Sequence, residues 1–174
     1  MKKITAVLCS LILAVCIAQN ASALTADSGW EEFYFGNIGD HWTLNNTGFG
    51  DQVWFDFTLD SAAILTVTDA FDSGDQFDVF DGLTGLGLTS VPVIGGFIGD
   101  DYDAASANAS WSTGSWMLAA GTYSITGYSA VSPFGGGRGA LRLDSASVPE
   151  PATMLLFGTC LAGLAGMRIR GKRK

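Results

Sequence analysis

Hydrophobic and polar residues alternate through the middle of this chain with the two-residue period of a β-strand. Between Gln52 and Leu59, the side chains of Val53, Phe55, Phe57 and Leu59 share one face, while Trp54, Asp56 and Thr58 share the other. Ile64 to Phe71 repeats the pattern, with Leu65, Val67 and Phe71 on a common face. Asp72-Ser73-Gly74-Asp75 carries turn chemistry, and Gln76 to Asp81 returns as a strand with Phe77 and Val79 together, so Asp69 to Asp81 reads as an acidic hairpin. Val91–Ile98, Ser115–Leu118, Tyr123–Tyr128 and Ala140–Asp144 are further predicted strands, and Glu32–Phe35 with Trp42–Leu44 begins the sheet system. No window carries a helical stripe. Short strands punctuated by Gly, Asp, Asn and Ser predict an all-β domain, a two-sheet antiparallel β-sandwich of jelly-roll-like form.

Both ends depart from this pattern. Lys2 and Lys3 precede an apolar stretch from Ile4 to Ala18, and Ala21-Ser22-Ala23 supplies small residues at the spacing of a signal-peptidase site. This predicts an N-terminal signal helix over 1–23, with cleavage before Leu24. Lipidation at Cys16 is the competing outcome, disfavoured because Val15 is larger than the small residue such a site requires. At the other end come Val148-Pro149-Glu150-Pro151, an apolar run from Ala152 to Met167, and then Arg168, Arg170, Lys172, Arg173 and Lys174. The prolines fix φ and withhold backbone N–H donors, which keeps their segment extended and open to a processing enzyme. The apolar run, lengthened by Ile169 and snorkelling arginines, predicts a transmembrane helix held with its cations on the cytoplasmic side. Three segments follow: 1–23 as signal, 24–147 as one folded domain, and 148–174 as a C-terminal sorting signal.

Composition changes the picture of the central segment. All three cysteines fall outside it, so it has neither disulfide nor thiolate chemistry. It holds two arginines, Arg138 and Arg142, against sixteen carboxylates, a net charge of −14. Such a field repels nucleic acid and anionic membrane surfaces, and favours cations and neutral glycans.

Candidate chemistry is concentrated in carboxylates and aromatic rings. Asp69, Asp72, Asp75, Asp78 and Asp81 recur at every third residue; a turn between strand ends can converge Asp69, Asp72 and Asp75 with backbone carbonyls around Ca2+. A solvated acidic turn that discourages edge-to-edge aggregation is the plainer alternative. Asp100, Asp101 and Asp103 form a second acidic loop. All five tryptophans lie in the central segment, and Trp54 is the one whose strand neighbours take the opposite face, which makes it the candidate for stacking on a sugar ring. Gly135 to Gly139 lacks the lysine and following helix of a phosphate-binding loop and reads as a loop between the last strands. Catalysis finds little support: His41 is the single histidine, no nucleophile motif accompanies it, and Glu31 and Glu32 are adjacent on a strand and point apart. No catalytic residue is expected.

The motif Val148-Pro149-Glu150-Pro151, the apolar run and the basic end together resemble the PEP-CTERM sorting signal of Gram-negative bacteria. That resemblance implies recognition by exosortase, a membrane protease, with transient inner-membrane anchoring before delivery to the cell surface or extracellular matrix. In the central segment, Phe55–Leu59, Leu65–Asp69, Gly74–Val79 and Gly121–Ile125 resemble secreted β-sandwich modules of the pre-peptidase C-terminal type. The expectation is an exported, non-catalytic surface or exopolysaccharide-matrix protein. The alternatives are a calcium-assisted carbohydrate-binding or adhesion module and a secreted hydrolase.

Overall fold

The computed structural model describes residues 20–146; the expected transmembrane helix and residues 1–19 of the expected signal helix lie outside them, and the last four signal residues, Asn20–Ala23, form a strand rather than a helix. Nine strands and one short helix follow in chain order. They are β1 (Asn20–Ala23), β2 (Trp30–Phe35), β3 (Val53–Leu59), β4 (Ala63–Asp69), β5 (Gln76–Asp81) and β6 (Thr84–Leu88), then α1 (Tyr102–Ser106), β7 (Thr113–Leu118), β8 (Gly121–Val131) and β9 (Gly137–Ser145). They form two sheets, one ordered β1-β3-β8-β5-β6 and the other β2-β9-β4-β7. The pairings are antiparallel except β1 with β3. The fold is a two-sheet sandwich.

The alternation in β3 explains its orientation. Val53, Phe55, Phe57 and Leu59 are buried, and Asp56 and Thr58 are exposed. An aromatic cluster joins the layers: Phe77 of β5 meets Phe33, Phe35 and Trp42 edge-on at 5.2, 4.9 and 5.8 Å, and Phe33 stacks on Trp42 at 3.9 Å. Trp42 lies against the backbone of β8 at Gly127, where a Cβ would enter the indole ring. The glycine is there to admit the tryptophan.

Tertiary pairing overrides the local pattern at several points. Asp69 to Asp81 is not a hairpin: β4 pairs with β9 and β7, whereas β5 pairs with β8 and β6, so the turn carries the chain between sheets. Val91–Ile98 is an irregular loop, with Val91, Val93, Ile94 and Phe97 exposed. Pro92 withholds a ladder donor and Gly95 adopts φ +113, so the run cannot form a central strand. Trp42–Leu44 makes only an isolated bridge, Thr43 to Tyr34. The strand β6, sequence TGLGL, has too little polar contrast to announce itself. Helix α1 is too short for periodicity; it begins because the Asp101 carboxylate accepts the Ala104 N–H at 3.0 Å.

Two features of the chain ends bear on function. Strand β1 is made of residues expected to leave with the signal peptide, so cleavage before Leu24 removes it and makes β3 a sheet edge. Leu24 itself is buried against the core. At the other terminus β9 starts opposite Phe35 and finishes opposite Ala63, with Ala146 N–H bonded to the Ala62 carbonyl at 3.0 Å. The loops 36–52, 70–75, 89–99 and 132–136 therefore gather at one end of the sandwich, and the chain departs toward 147–174 from the other.

Candidate functional site

Three regions carry chemistry, and the acidic turn is the first. The structure brings Asp69 and Asp75 together and leaves Asp72 exposed. Asp69 is fully buried and its carboxylate accepts the backbone N–H groups of Ala70 (2.8 Å), Gly74 (3.2 Å) and Asp75 (3.2 Å), which fixes the turn between sheets. Burial, reinforced by the charge of Asp75, pushes the Asp69 carboxyl up to about 8 against the pull of those donors. Burial also raises Asp75 to about 6, the Ser132 hydroxyl opposing and the charge of Asp72 adding to the rise. Asp75 Oδ1 and Ser132 Oγ are both buried without a partner in hydrogen-bonding geometry. Among the described residues no three His, Cys, Asp or Glu side chains converge as metal ligands. Asp78 and Asp81 belong elsewhere: Asp78 pairs with Tyr128 in the five-stranded sheet, and Asp81 accepts the Ser124 N–H at 2.9 Å.

The second region is the outer face of that sheet. Trp54 is half-buried there, as its alternation requires. Phe55 pairs with Ile125, which puts Trp54 beside Thr126, and Phe80 pairs with Thr126 from the other side. Thr126 is only 1% exposed although it faces outward. Gln52 Nε2 donates to the Thr126 hydroxyl at 3.1 Å, and Phe80 meets the exposed Tyr128 edge-on at 5.7 Å. Asp56 accepts the Ser124 hydroxyl at 2.5 Å. Three aromatic rings thus share a strand surface with amide, hydroxyl and carboxylate groups. Flat apolar patches flanked by donors and acceptors match the alternating C–H and O–H faces of a pyranose.

The third region is a cleft of about 360 Å3 at the loop end, bounded by Tyr34, Asn46, Thr47, Phe71, Gly136 and Arg138 among others. Gly48 and Gly136 approach so closely that a Cβ on either would strike the Phe35 carbonyl oxygen, and both have positive φ. The Arg138 guanidinium lies 4.9 Å from the Tyr34 ring centre and 4.7 Å from that of Phe71. Its Nη1 is 3.4 Å from Glu32 Oε1, which also accepts the Tyr102 hydroxyl at 2.7 Å. A separate depression of about 370 Å3, beside Leu24, Leu59 and Ser145, lies at the end where the chain departs.

The remaining candidates have structural partners. His41 Nε2 lies 2.9 Å from the Gly50 carbonyl. Asp101 caps α1, and Asp103 accepts from Trp30 Nε1 at 3.0 Å and Arg142 Nη1 at 2.6 Å, which holds its carboxyl below the usual range. Arg142 also donates to Asp144 at 2.8 Å and lies over Trp30. Sequence reasoning missed Phe80, Tyr128 and Gln52 as neighbours of Trp54. Outward alternation in β8 was the available signal for Tyr128; the register that joins it to Phe80 was not. The cleft around Arg138 left no local signal, since Tyr34, Phe71 and Arg138 come from distant segments. Val148, Pro149, Glu150 and Pro151 lie outside the described residues, and within those residues no helix is long and apolar enough to cross a membrane.

No curated protein matches the chain. Among solved structures it is similar to the C-terminal CBM6 of LamC, a marine laminarinase from Zobellia galactanivorans. The likeness has 19% identity and a TM-score of 0.34, and covers 67% of this chain and 83% of that one. Residues 147–171 match the PEP-CTERM protein-sorting motif. The motif follows directly on the last strand of the sandwich, and this is an exported protein carrying a PEP-CTERM signal for sorting by exosortase.

Proposed function

We propose that this chain is a non-catalytic protein of the cell surface or exopolysaccharide matrix, released there once its C-terminal signal has been processed. The observation that carries the reading is the PEP-CTERM motif at 147–171, placed after the last strand of a domain that closes without it. His41, the single histidine, is held to the Gly50 carbonyl, which fits a structural role for that side chain. Replacing Pro149-Glu150-Pro151 by three alanines lets a helix propagate from the apolar run into the processing segment. The variant is expected to accumulate in the inner membrane of an exosortase-bearing strain as a longer species, while wild type is released beginning at Leu24. Fractionation with intact-mass measurement decides this. Equal release of both forms would leave the tail a plain anchor and remove the reading.

A calcium-assisted carbohydrate-binding role is the second reading, favoured by the aromatic surface around Trp54, Phe80 and Tyr128. A net charge of −14 on the folded segment directs that surface to glycans of low charge density. Trp54→Ala is expected to weaken glycan binding by about tenfold or more, the size of losing one well-packed aromatic contact. A glycan array with and without calcium, run on wild type and Trp54→Ala, is the measurement. An unchanged profile in the variant would move binding away from this face. A profile indifferent to calcium would end the calcium-assisted form of the reading.

A further inference from the structure

Arg138 and Arg142 are the two cations of the folded segment, and their surroundings differ. Arg142 donates through Nε and Nη1 to two carboxylates and is satisfied within the fold. Arg138 lies 3.4 Å from Glu32 and beside the Tyr102 hydroxyl, and with five N–H donors on its planar fork it keeps donors beyond these two partners. It is held in place by the Tyr34 and Phe71 rings, and its side chain keeps 31% exposure at the edge of the loop-end cleft.

The cleft also contains local strain. Phe71 has φ +56, a left-handed conformation that a bulky aromatic residue adopts at a cost. Its backbone is pinned on both sides, N–H to the Gly99 carbonyl and carbonyl to the Ile98 N–H, each at 2.9 Å. Gly48 and Gly136 bring two loops onto the Phe35 carbonyl, and both line the cleft. Asn46 and Thr47 add polar groups at the rim, both exposed.

We propose that this cleft binds a sugar residue bearing a carboxylate, a hexuronate unit within a glycan otherwise of low charge. Arg138 takes the carboxylate through its free N–H edge, the geometry in which guanidinium recognises carboxylate. Asn46 meets ring hydroxyls as donor and acceptor and Thr47 as an acceptor, since its own O–H is donated to Asn45 within the loop, and Tyr34 and Phe71 border the sugar. A volume of about 360 Å3 falls in the range of small-molecule sites. The −14 field argues against a fully charged polyanion, because repulsion accumulates with every acidic unit along the chain. A single carboxylate in contact with Arg138 is favoured at short range, where salt screens least.

This inference rests on the reading of the domain as one that contacts carbohydrate, and the test separates the two. The folded segment, produced as the full exported protein, is titrated with a neutral gluco-oligosaccharide, with the same oligosaccharide ending in one glucuronate, and with sodium acetate. Binding is followed by calorimetry and by backbone amide shifts. The acidic oligosaccharide is expected to bind at least about tenfold more tightly than the neutral one. Its shifts should centre on residues 46–48 and 135–138. Arg138→Gln is expected to abolish the preference, and Arg138→Lys to restore only part of it, since lysine keeps the charge but not the fork. Thermal melts establish that both variants are folded. Equal affinity for both oligosaccharides, no binding, or a preference that survives Arg138→Gln would overturn the assignment. Shifts confined to the Trp54 face would do so while sparing the sheet-face reading. Acetate binding as tightly as the glucuronate-bearing oligosaccharide would remove the sugar from the proposal.

Discussion

Phe77→Ala is expected to cost the domain about 3–5 kcal/mol, the range for deleting a large ring from a packed interior. Phe77 is fully buried and contacts three further rings, Phe33, Phe35 and Trp42, drawn from the opposite sheet and the loop after it. Its removal opens a cavity between layers whose walls are flat and rigid and collapse poorly. A single domain of this size has about 5–15 kcal/mol of stability in all, so the variant should lie near its unfolding threshold. Phe80→Ala, three residues along the same strand but on the outer face, should cost distinctly less. Urea midpoints of the three proteins check both statements. A loss at Phe77 no larger than at Phe80 would mean that the facing of β5 is wrong.

In calcium-free buffer the domain is expected to lose stability as pH rises from about 4 to about 8, a direction opposite to ordinary acid denaturation. The cause is the buried pair at the inter-sheet turn. Asp69 is raised to about 8 and Asp75 to about 6, whereas in the unfolded chain both titrate near 3.8. Below the unfolded value both states hold both protons, and the stability is fully present. As pH rises, the unfolded chain releases protons that the native state still binds, so unfolding is favoured by about 1.4 kcal/mol per proton per pH unit. The fall ends once the folded values are passed, Asp75 first and Asp69 last. Asp27 and Asp103 work the other way. Hydrogen bonds from Ser145 hold the first low, and those from Trp30 and Arg142 hold the second low, so their contribution is lost only as pH falls below about 4. Melting temperatures across this window check the sign. Asp69→Asn should flatten the upper part of the slope while its single amide oxygen, in the place of Oδ2, keeps the bonds from Gly74 and Asp75 and loses the one from Ala70. A wild-type curve that rises with pH through the same window would show Asp69 to be a carboxylate held by its three N–H donors.

Much of the fold was legible in the sequence because half-buried strands write their orientation into a two-residue alternation. Val53 to Leu59 is the plainest case: its pattern gave the strand, its buried face and the outward direction of Trp54. Local chemistry also located the turn at Asp72–Asp75, and composition placed sixteen carboxylates and every tryptophan in the folded segment. The C-terminal signal was readable for a different reason. Its punctuation, hydrophobic length and terminal charge are linear properties, read by a membrane and a protease rather than by a fold.

Pairing between distant strands was not legible, and it decided the rest. Alternation says which way a side chain points but not which strand lies beside it. The turn at Asp72–Asp75 therefore read as a hairpin, while the structure uses it to cross between sheets, and that crossing buries Asp69 and Asp75 and leaves Asp72 exposed. The same limit hid the rings beside Trp54, because Phe80 and Tyr128 join it only through the register of β3, β8 and β5. It hid the cleft completely: Tyr34, Phe71 and Arg138 meet because β9 lies between β2 and β4, with Tyr34 opposite Arg138 and Phe71 just beyond the end of β4. Local sequence fixed the direction of each side chain, and long-range hydrogen bonding between strands chose its neighbours, so the sorting signal could be read along the chain and the candidate binding surfaces could not.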